Sequence, residues 1–582
     1  MHTPAHGGDL VAAALLAQQV RFIFTLCGGH ISPILVGCKA VGIRVIDVRD
    51  EGTAVFAADA VARLTGVPGV AVVTAGPGLT NTLTALKNAY IAHSPVVLLG
   101  GAAPTALQGR GALQDIEQLP VVSPHVKLVK QIRRVRDLVP ALYEAFRVSR
   151  EGVPGPVFIE CPIDVLYDEK NVRHWYSAGL SKGTSIPDQA INWYLQRHVE
   201  DIFAKGEGRV LTQTRISLPL ASDACIKAVA DVLVKAQRPL VIIGSQTLSN
   251  PTDAALVQSA ISTMGIPAYL SGMARGLLGR DHILQQRHSR RQALQESDCV
   301  ILAGVPCDFR LDYGSHIRRS SVLIAVNCSK KEAHLNRRPD IAAIGDAGHF
   351  LIGLAERIAK DGEDGERLKG WIEKLHARDT EREHEIDEKS KIEGAFVNPI
   401  KLLRAIDNIA SDTATFVADG GDFVSTASYI LRPRGALRWL DPGAFGTLGV
   451  GAGFGLGANL CYPGEEVWIL YGDGACGYSL VEFDTYVRHG IPVIAVVGND
   501  AGWTQIAREQ VKILNDDVGT VLARTDYHKV AAGFGAKGIL VQTEDELPKA
   551  LDIAQQTAKA GQPVLINVWL DRTDFREGSI SM

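Results

Sequence analysis

Apolar runs about as long as a β-strand alternate along the chain with segments of helix length. In its first part the runs predict strands at Arg21–Leu26, Ile43–Val48, Val70–Thr74, Val96–Leu99 and Val157–Glu160. This alternation is typical of parallel strands whose connecting helices cover the sheet.

The same alternation recurs twice. A second set of strands is predicted at Pro239–Gly244, Cys299–Ala303 and Val322–Val326, and a third at Thr415–Ala418, Glu466–Tyr471, Val493–Val497 and Pro563–Val568. We therefore predict an α/β fold of three doubly wound parallel-sheet domains, at residues 1–168, 216–370 and 398–582. A linker with a helical insertion is expected at 169–215. A charged linker, 371–397, alternates acids and bases at helical spacing, which predicts a solvent-facing helix.

Composition narrows the class of protein. The 582 residues are 46% hydrophobic and 21% charged, as in globular proteins, and 60 Lys and Arg nearly balance 64 Asp and Glu. We therefore expect no nucleic-acid partner. No apolar run has the 18 or so residues of a membrane span, and nine cysteines occur without a C-x-x-C pair, so the expected location is cytoplasmic.

Two candidate ligand-binding motifs follow neighbouring predicted strands of the third domain. Gly472-Asp473-Gly474 follows one strand, and Gly498-Asn499-Asp500-Ala501-Gly502 follows the next. Ligands bind at the carboxyl ends of parallel strands, where glycine lets the backbone approach phosphate and carboxylates can hold Mg²⁺. An Asp-Gly pair alone is first of all a turn signal.

The spacing of these motifs resembles the thiamine-diphosphate fingerprint of the acetolactate synthase superfamily. That resemblance implies thiamine diphosphate and Mg²⁺ as cofactors, with Asp473, Asp500 and the main-chain carbonyl of Gly502 as metal ligands. Asp500 is a departure, because the family usually has Asn there, and a second carboxylate should hold Mg²⁺ more tightly. Asn499 would orient the loop or the diphosphate.

The resemblance implies further cofactor contacts. The carbonyl of Gly446 would bind the cofactor's amino group, and Leu448 would wedge the cofactor into a bent shape. The remaining expected contacts are Gly421, Asp422, Phe423, Gly472, Gly474 and Ala475 in the third domain, with Gly76 and Asn81 in the first.

Glu51 is the candidate activating carboxylate. It begins a predicted helix, where a carboxylate also interacts favourably with the helix dipole. The resemblance implies that Glu51 lies beside the cofactor's pyrimidine and supports its action as an internal base. Since Glu51 and Asp473 belong to different domains, the family arrangement implies a homodimer or homotetramer with active sites at the dimer interface.

His30 follows the first predicted strand, in the string Cys27-Gly-Gly-His30-Ile-Ser32. A histidine there is often only a hydrogen-bonded loop residue. The string is similar to one in benzaldehyde lyase, which implies that His30, with Gly29 beside it, faces the substrate. Gln114 matches a family glutamine that approaches the reacting carbon.

The whole chain resembles the acetolactate-synthase-like group that includes 2-hydroxyacyl-CoA lyases, and Trp503 lies in a string close to that group. The implied reaction cleaves a 2-hydroxyacyl-CoA into an aldehyde and formyl-CoA, reversibly. CoA or ADP would bind the middle domain near Arg275 and Arg310, and FAD is not expected. The alternatives are an acetolactate-type synthase or another acyloin lyase acting on pyruvate or hydroxyketones, and a non-catalytic member of the fold.

Overall fold

The structure is a computed structural model that describes residues 6–178, 185–204, 212, 216, 218–361 and 367–576. Residues 1–5, 179–184, 362–366 and 577–582 and most of 205–217 lie outside the described residues. Backbone contacts divide the chain into a first unit, Met1–Ala62 with Val67–Ser217, and a second unit, Arg63–Gly66 with Leu218–Met582.

The first unit holds a six-stranded parallel sheet in the order β2-β1-β3-β4-β6-β5. Its strands are β1 (Phe22–Thr25), β2 (Arg44–Asp47), β3 (Gly69–Val73), β4 (Val96–Ala102), β5 (Val129–Gln131) and β6 (Val157–Pro162). Its helices are α1 (Gly7–Ala17), α2 (Ser32–Ala40), α3 (Glu51–Thr65), α4 (Pro77–Thr80), α5 (Leu83–Ile91), α6 (Gln118–Val122), α7 (Leu138–Arg150), α8 (Ile163–Leu166), α9 (Glu169–Ala178) and α10 (Ile186–Ile202). The last two occupy the segment where a helical insertion was expected.

The second unit holds two further parallel sheets of six strands. The middle sheet has the order β12-β11-β10-β7-β8-β9. Its strands are β7 (Pro239–Ile243), β8 (Ala268–Leu270), β9 (Gln285–Gln286), β10 (Cys299–Ala303), β11 (Val322–Asn327) and β12 (Ile341–Ile344). Its helices are α11 (Asp223–Leu233), α12 (Ala254–Met264), α13 (Arg290–Glu296), α14 (Lys330–Ala333) and α15 (Ala347–Asp361), and α16 (Lys369–Ser390) follows them.

The third sheet has the order β14-β13-β15-β16-β18-β17, which repeats the order of the first. Its strands are β13 (Thr415–Asp419), β14 (Trp439–Leu440), β15 (Val467–Gly472), β16 (Ile494–Asn499), β17 (Lys537–Val541) and β18 (Val564–Trp569). Its helices are α17 (Pro399–Ile409), α18 (Asp422–Ile430), α19 (Val450–Cys461), α20 (Asp473–Ser479), α21 (Phe483–His489), α22 (Thr504–Leu514), α23 (Tyr527–Gly533) and α24 (Leu547–Lys559). In both sheets the strand order reverses beside the first strand, and such switch points are where open α/β sheets bind ligands.

Six strands were not predicted: five are at sheet edges, and the sixth, β8, is only three residues long. They are β5, β8, β9, β12, β14 and β17. Edge strands are often short and only half-buried, so their apolar runs do not stand out from the surrounding sequence.

The prediction of a solvent-facing helix in the charged linker was wrong in part. Helix α16 buries Trp371, Leu375 and Ile386, and the Trp371 indole N–H donates to the carbonyl of Pro239 at 3.0 Å. Glu383 on the same helix forms ion pairs with Arg287 and Arg404. The charged side chains of α16 therefore pair with residues beside the middle sheet and on helix α17 of the third domain. The three apolar residues pack the helix against the second unit.

Candidate active site

Two loops at the carboxyl end of the third sheet meet at Asp473. Strands β15 and β16 are in register with Gly472 opposite Gly498, so the loops that follow them begin at the same level. The Asp473 carboxylate accepts the backbone N–H of Gly474 at 2.8 Å and that of Gly502 at 3.1 Å. One side chain thus fixes both predicted motifs relative to each other.

The buried Asp473 and the half-buried Asp500 form an acidic pair. Burial first, and then the charge of Asp500, raise the pKa of Asp473 to about 7, while burial raises the pKa of Asp500. Keeping both carboxylates ionised here requires a compensating cation. Carboxylate oxygens, with a main-chain carbonyl such as that of Gly502, are the hard ligands that Mg²⁺ prefers. The donor set therefore fits the metal that the sequence predicted.

Asn499 supports the loop that carries Asp500. Its amide donates to the side-chain oxygen of Asn567 at 3.2 Å, and its own oxygen accepts the N–H of Ala501 at 3.3 Å. Asn499 is fully buried, whereas Asp500 lines the cavity described below. Of the two alternatives for Asn499, orienting the loop is the one these hydrogen bonds favour.

A cavity of about 830 Å³ opens over these loops, within the second unit. Its size is in the range of sites that bind a cofactor or substrate. Third-sheet residues predicted from sequence line it: Gly421, Asp422, Phe423, Gly446, Leu448, Gly472, Asp473, Gly474, Ala475, Asp500, Gly502 and Trp503. Arg275 and Arg310, predicted in the middle domain, line the same cavity. The fold thus brings together residues as far apart in the sequence as Arg275 and Trp503.

Asp419 shapes the glycine-rich wall of this cavity, and sequence reasoning missed its role. It is fully buried, and its carboxylate accepts the N–H of Gly449 at 3.1 Å and of Gly451 at 2.8 Å, at the start of α19. Burial raises its pKa to about 7. The signal available in the sequence was an acid at a strand end with a glycine-rich helix start further along the chain.

Arginines line the middle-domain side of the cavity. Arg310 is paired with Asp308 at 2.7 Å, but Arg275 donates to the carbonyl of Ser428 at 2.8 Å and Arg290 to that of Arg310 at 2.6 Å. In the part of the chain that the structure describes, neither Arg275 nor Arg290 has an acidic side chain within ion-pair distance. Two guanidinium groups without acidic partners attract an anionic ligand. Sequence analysis singled out Arg275 and Arg310 and missed Arg290.

Glu51 and Asn81 come together in the first unit. Glu51 begins helix α3, is 7% exposed, and accepts a hydrogen bond from the Asn81 amide at 3.0 Å. A side chain on Gly78 would lie 3.6 Å from the other Glu51 oxygen, so glycine leaves that oxygen accessible.

His30, Thr74 and Gln114 form a second group in the first unit, at the switch point of its sheet. The His30 ring nitrogen Nδ1 lies 3.1 Å from the Thr74 hydroxyl, which lies 3.5 Å from the Gln114 side-chain oxygen. Burial lowers the pKa of His30, which favours its neutral form. Gly76 packs against Gln114: a Cβ there would lie 2.7 Å from the Gln114 carbonyl. Gly29 accepts a hydrogen bond from the Tyr167 hydroxyl at 3.4 Å.

Three models of known protein domains match the chain in order. Residues 5–121 match the thiamine pyrophosphate enzyme N-terminal TPP binding domain, residues 226–354 the central domain, and residues 419–568 the C-terminal TPP binding domain. The chain belongs to the thiamine pyrophosphate enzyme family. Both the α/β fold of three parallel-sheet domains and the thiamine-diphosphate resemblance are thereby confirmed.

Relatives within the thiamine pyrophosphate enzyme family are similar over nearly the whole chain. The chain is 52% identical to 2-hydroxyacyl-CoA lyase 2 of Bos taurus and 50% identical to that of Homo sapiens, over 99% of this chain and 92% of each relative. It is 33% identical to the probable acetolactate synthase of Mycobacterium bovis, over 97% of this chain and 96% of that protein. In the described part of this family member, no helix is long and apolar enough to cross a membrane.

One more pair in the first unit was missed by sequence reasoning. The buried Glu160 accepts a hydrogen bond from the Gln118 amide at 2.8 Å, and the Gln118 oxygen accepts the N–H of Gly76 at 3.0 Å. Glu160 thus orients Gln118, and Gln118 holds the turn at Gly76 in place. Because they are 42 residues apart, no local pattern connects them.

Proposed function

We propose that the protein is a thiamine-diphosphate-dependent lyase that cleaves a 2-hydroxyacyl-CoA into an aldehyde and formyl-CoA. The observation that carries the proposal is His30, linked through the Thr74 hydroxyl to Gln114 at the first sheet's switch point, a base suited to a hydroxyl-bearing substrate. Similarity to proteins named 2-hydroxyacyl-CoA lyase 2 over nearly the full chain supports it.

Mg²⁺ would be held by Asp473, Asp500 and the carbonyl of Gly502. The glycines of the third-sheet loops would admit the diphosphate, because they have no side chains to block its approach. Gly446, Leu448 and Asn81 would contact the remainder of the cofactor. Thiamine diphosphate, when bound, supplies the carbon nucleophile, and Glu51 would supply the proton relay at its pyrimidine.

His30 would act on the substrate hydroxyl. As C1–C2 cleavage turns the hydroxyl carbon into the aldehyde carbonyl, a neutral imidazole accepts the hydroxyl proton, and C1 later takes up a proton to leave as formyl-CoA. Gln114 would hold the thioester side by hydrogen bonding, and Gly29 and Trp503 would bound the substrate. In the reverse direction the same groups would condense formyl-CoA with an aldehyde.

The phosphates of CoA would bind the arginine-lined side of the cavity, at Arg275 and Arg310. The support is that, among the described residues, Arg275 and its neighbour Arg290 donate to backbone carbonyls and have no acidic side chain within ion-pair distance. A phosphate can accept several guanidinium N–H groups at once. ADP would satisfy the same groups.

The proposed assembly is a homodimer or homotetramer, in which active sites at the dimer interface combine Glu51 with the cofactor loops of the third domain. The family resemblance supports this assembly, and sedimentation of the purified protein would test it. The cytoplasmic location stays a prediction, testable by cell fractionation.

Product analysis tests the activity. Purified protein is incubated with a 2-hydroxyacyl-CoA, or separately with pyruvate, with and without thiamine diphosphate and Mg²⁺, and products are followed by mass spectrometry. Cofactor-dependent aldehyde and formyl-CoA are expected. Acetolactate from pyruvate, without formyl-CoA, would instead support the synthase alternative, and no cofactor binding at all would support a non-catalytic protein.

A further inference from the structure

Thr74 is held in one orientation by two glycines. It follows β3 and is 7% exposed. A Cβ on Gly28 would lie 2.5 Å from the Thr74 hydroxyl oxygen, and one on Gly78 would lie 2.9 Å from its methyl group. Packing this close to both glycines leaves the threonine little freedom to change rotamer.

The hydroxyl of Thr74 lies between a group that can only accept a hydrogen bond and a ring nitrogen that can donate one. The side-chain oxygen of Gln114, 3.5 Å away, can only accept a hydrogen bond, so the single hydroxyl proton points to it. The same hydroxyl oxygen must then accept from Nδ1 of His30, 3.1 Å away. A ring nitrogen that donates carries the proton, and the other nitrogen of a neutral ring then has a lone pair.

We infer that Thr74 is a positioning residue that fixes His30 in the tautomer with the proton on Nδ1, leaving Nε2 as the proton acceptor. Within the described residues, Nε2 of His30 has no hydrogen-bond partner, so it is available to a substrate hydroxyl. Thr74 also holds the Gln114 oxygen, which leaves the Gln114 NH₂ group to donate to the substrate. The assignment of the tautomer depends only on these contacts, whereas its role in catalysis rests on the proposed function.

Replacing Thr74 by valine tests the role of the hydroxyl separately from the shape of the side chain. Valine has nearly the shape of threonine but no hydroxyl, so Nδ1 loses its acceptor and the ring proton can move to Nε2. His30 then cannot take the hydroxyl proton. General-base catalysis is typically worth about 10²–10⁴-fold, and we expect Thr74→Val to lower kcat at least about tenfold. Thr74→Ser, which keeps the hydroxyl, should retain most of the rate.

The direct readout is ¹⁵N NMR of the histidine rings in the full-length protein, with the His30 signals assigned by their loss in His30→Asn. The wild type and Thr74→Ser should show protonated Nδ1 and unprotonated Nε2, and Thr74→Val should show protonation at Nε2. Thr263→Val, in helix α12 of the middle domain, is the matched control and should change neither tautomer nor rate, because its hydroxyl donates to the backbone carbonyl of Ser259.

Two results would overturn the inference: a wild-type His30 protonated at Nε2, or ring signals that are the same in Thr74→Val and the wild type. A second measurement guards against general damage. In the proposed function, exchange of the cofactor's C2 proton depends on Glu51 rather than His30, so it should proceed at the wild-type rate in Thr74→Val. If the expected tautomer is found in a protein that does not cleave 2-hydroxyacyl-CoA, the proposed function fails and the inference about Thr74 stands.

Discussion

The carboxylate of Asp473 accepts the backbone N–H of Gly502 at 3.1 Å, although the two residues follow different strands. This hydrogen bond closes the two third-sheet loops around the acidic pair. It leaves the Gly502 carbonyl on the same short loop as Asp500. In the metal site that we propose, Asp473 at the end of β15 therefore holds the loop that follows β16 in place.

Asp473→Asn should abolish Mg²⁺-dependent binding of thiamine diphosphate. The amide keeps the shape of the carboxylate but removes the charge that the cation needs. Isothermal titration calorimetry with thiamine diphosphate, with and without Mg²⁺, measures the effect. Asp526→Asn, which changes an exposed aspartate paired with Lys529, is the control and should bind as the wild type does. Equal affinity in Asp473→Asn and the wild type would contradict the site.

Asp500→Asn installs the residue usual in the family. Losing one carboxylate should weaken Mg²⁺ binding about tenfold, or ~1.4 kcal/mol, while the loop keeps its fold through Asn499. Mn²⁺ titration followed by electron paramagnetic resonance reads the metal directly, independent of turnover. Unchanged Mn²⁺ affinity would mean that Asp500 does not bind the metal.

Glu51→Ala should remove turnover without unfolding the chain. Glu51 begins α3, where one helix-dipole interaction is worth about 0.3–1 kcal/mol, and its hydrogen bond with Asn81 is worth about 0.5–1.5 kcal/mol. Product formation and the thermal unfolding midpoint, measured on the same preparation, check both statements. Turnover above a tenth of the wild-type rate would remove Glu51 from its proposed role.

Asp419 should make the stability of the cofactor-free protein depend on pH. Its folded pKa of about 7 is above the ordinary value of 3.8, so the folded state binds the proton more tightly than the unfolded state does. The stabilisation is complete below about pH 4 and is lost as pH rises towards 7. Urea unfolding of wild type and Asp419→Asn between pH 4 and 8 should show this falling contribution only in the wild type. Parallel curves would contradict the assignment.

Arg290→Gln should raise KM for acyl-CoA substrates and leave kcat nearly unchanged. A charge-assisted hydrogen bond is worth about 1.5–3 kcal/mol, which is roughly a 10–100-fold change in KM. Arg319→Gln, at an exposed position, is the matched control. If Arg290→Gln leaves KM unaltered, the CoA phosphates bind elsewhere.

Much of the third-domain site could be predicted because its residues are held by short motifs at strand ends. Strand β10, Cys299–Ala303, was predicted with its observed bounds because its residues form one uninterrupted buried run. Asp473 and Asp500 follow two such runs, their role was implied by the family resemblance of the motif spacing, and both line the cavity that the structure contains.

The remainder depends on contacts between distant positions. Gln118 reaches Glu160 across 42 residues, and Arg290 enters the cavity wall from an edge of the middle sheet. Thr74 was visible only as the first residue of a glycine turn, since its link to His30 exists only once β1 and β3 are neighbours. Buried side chains in helix α16 were also hidden, because most of the residues around them in the sequence are charged.

The fate of carbon 1 of the substrate tests the central claim most directly. A 2-hydroxyacyl-CoA labelled with ¹³C at C1 is reacted with cofactor-loaded protein in a single turnover, and the products are separated. The account predicts that the label appears in formyl-CoA and that the aldehyde is unlabelled, because the bond that breaks is C1–C2. Label released as carbon dioxide, or retained in a product longer than one carbon, would contradict it.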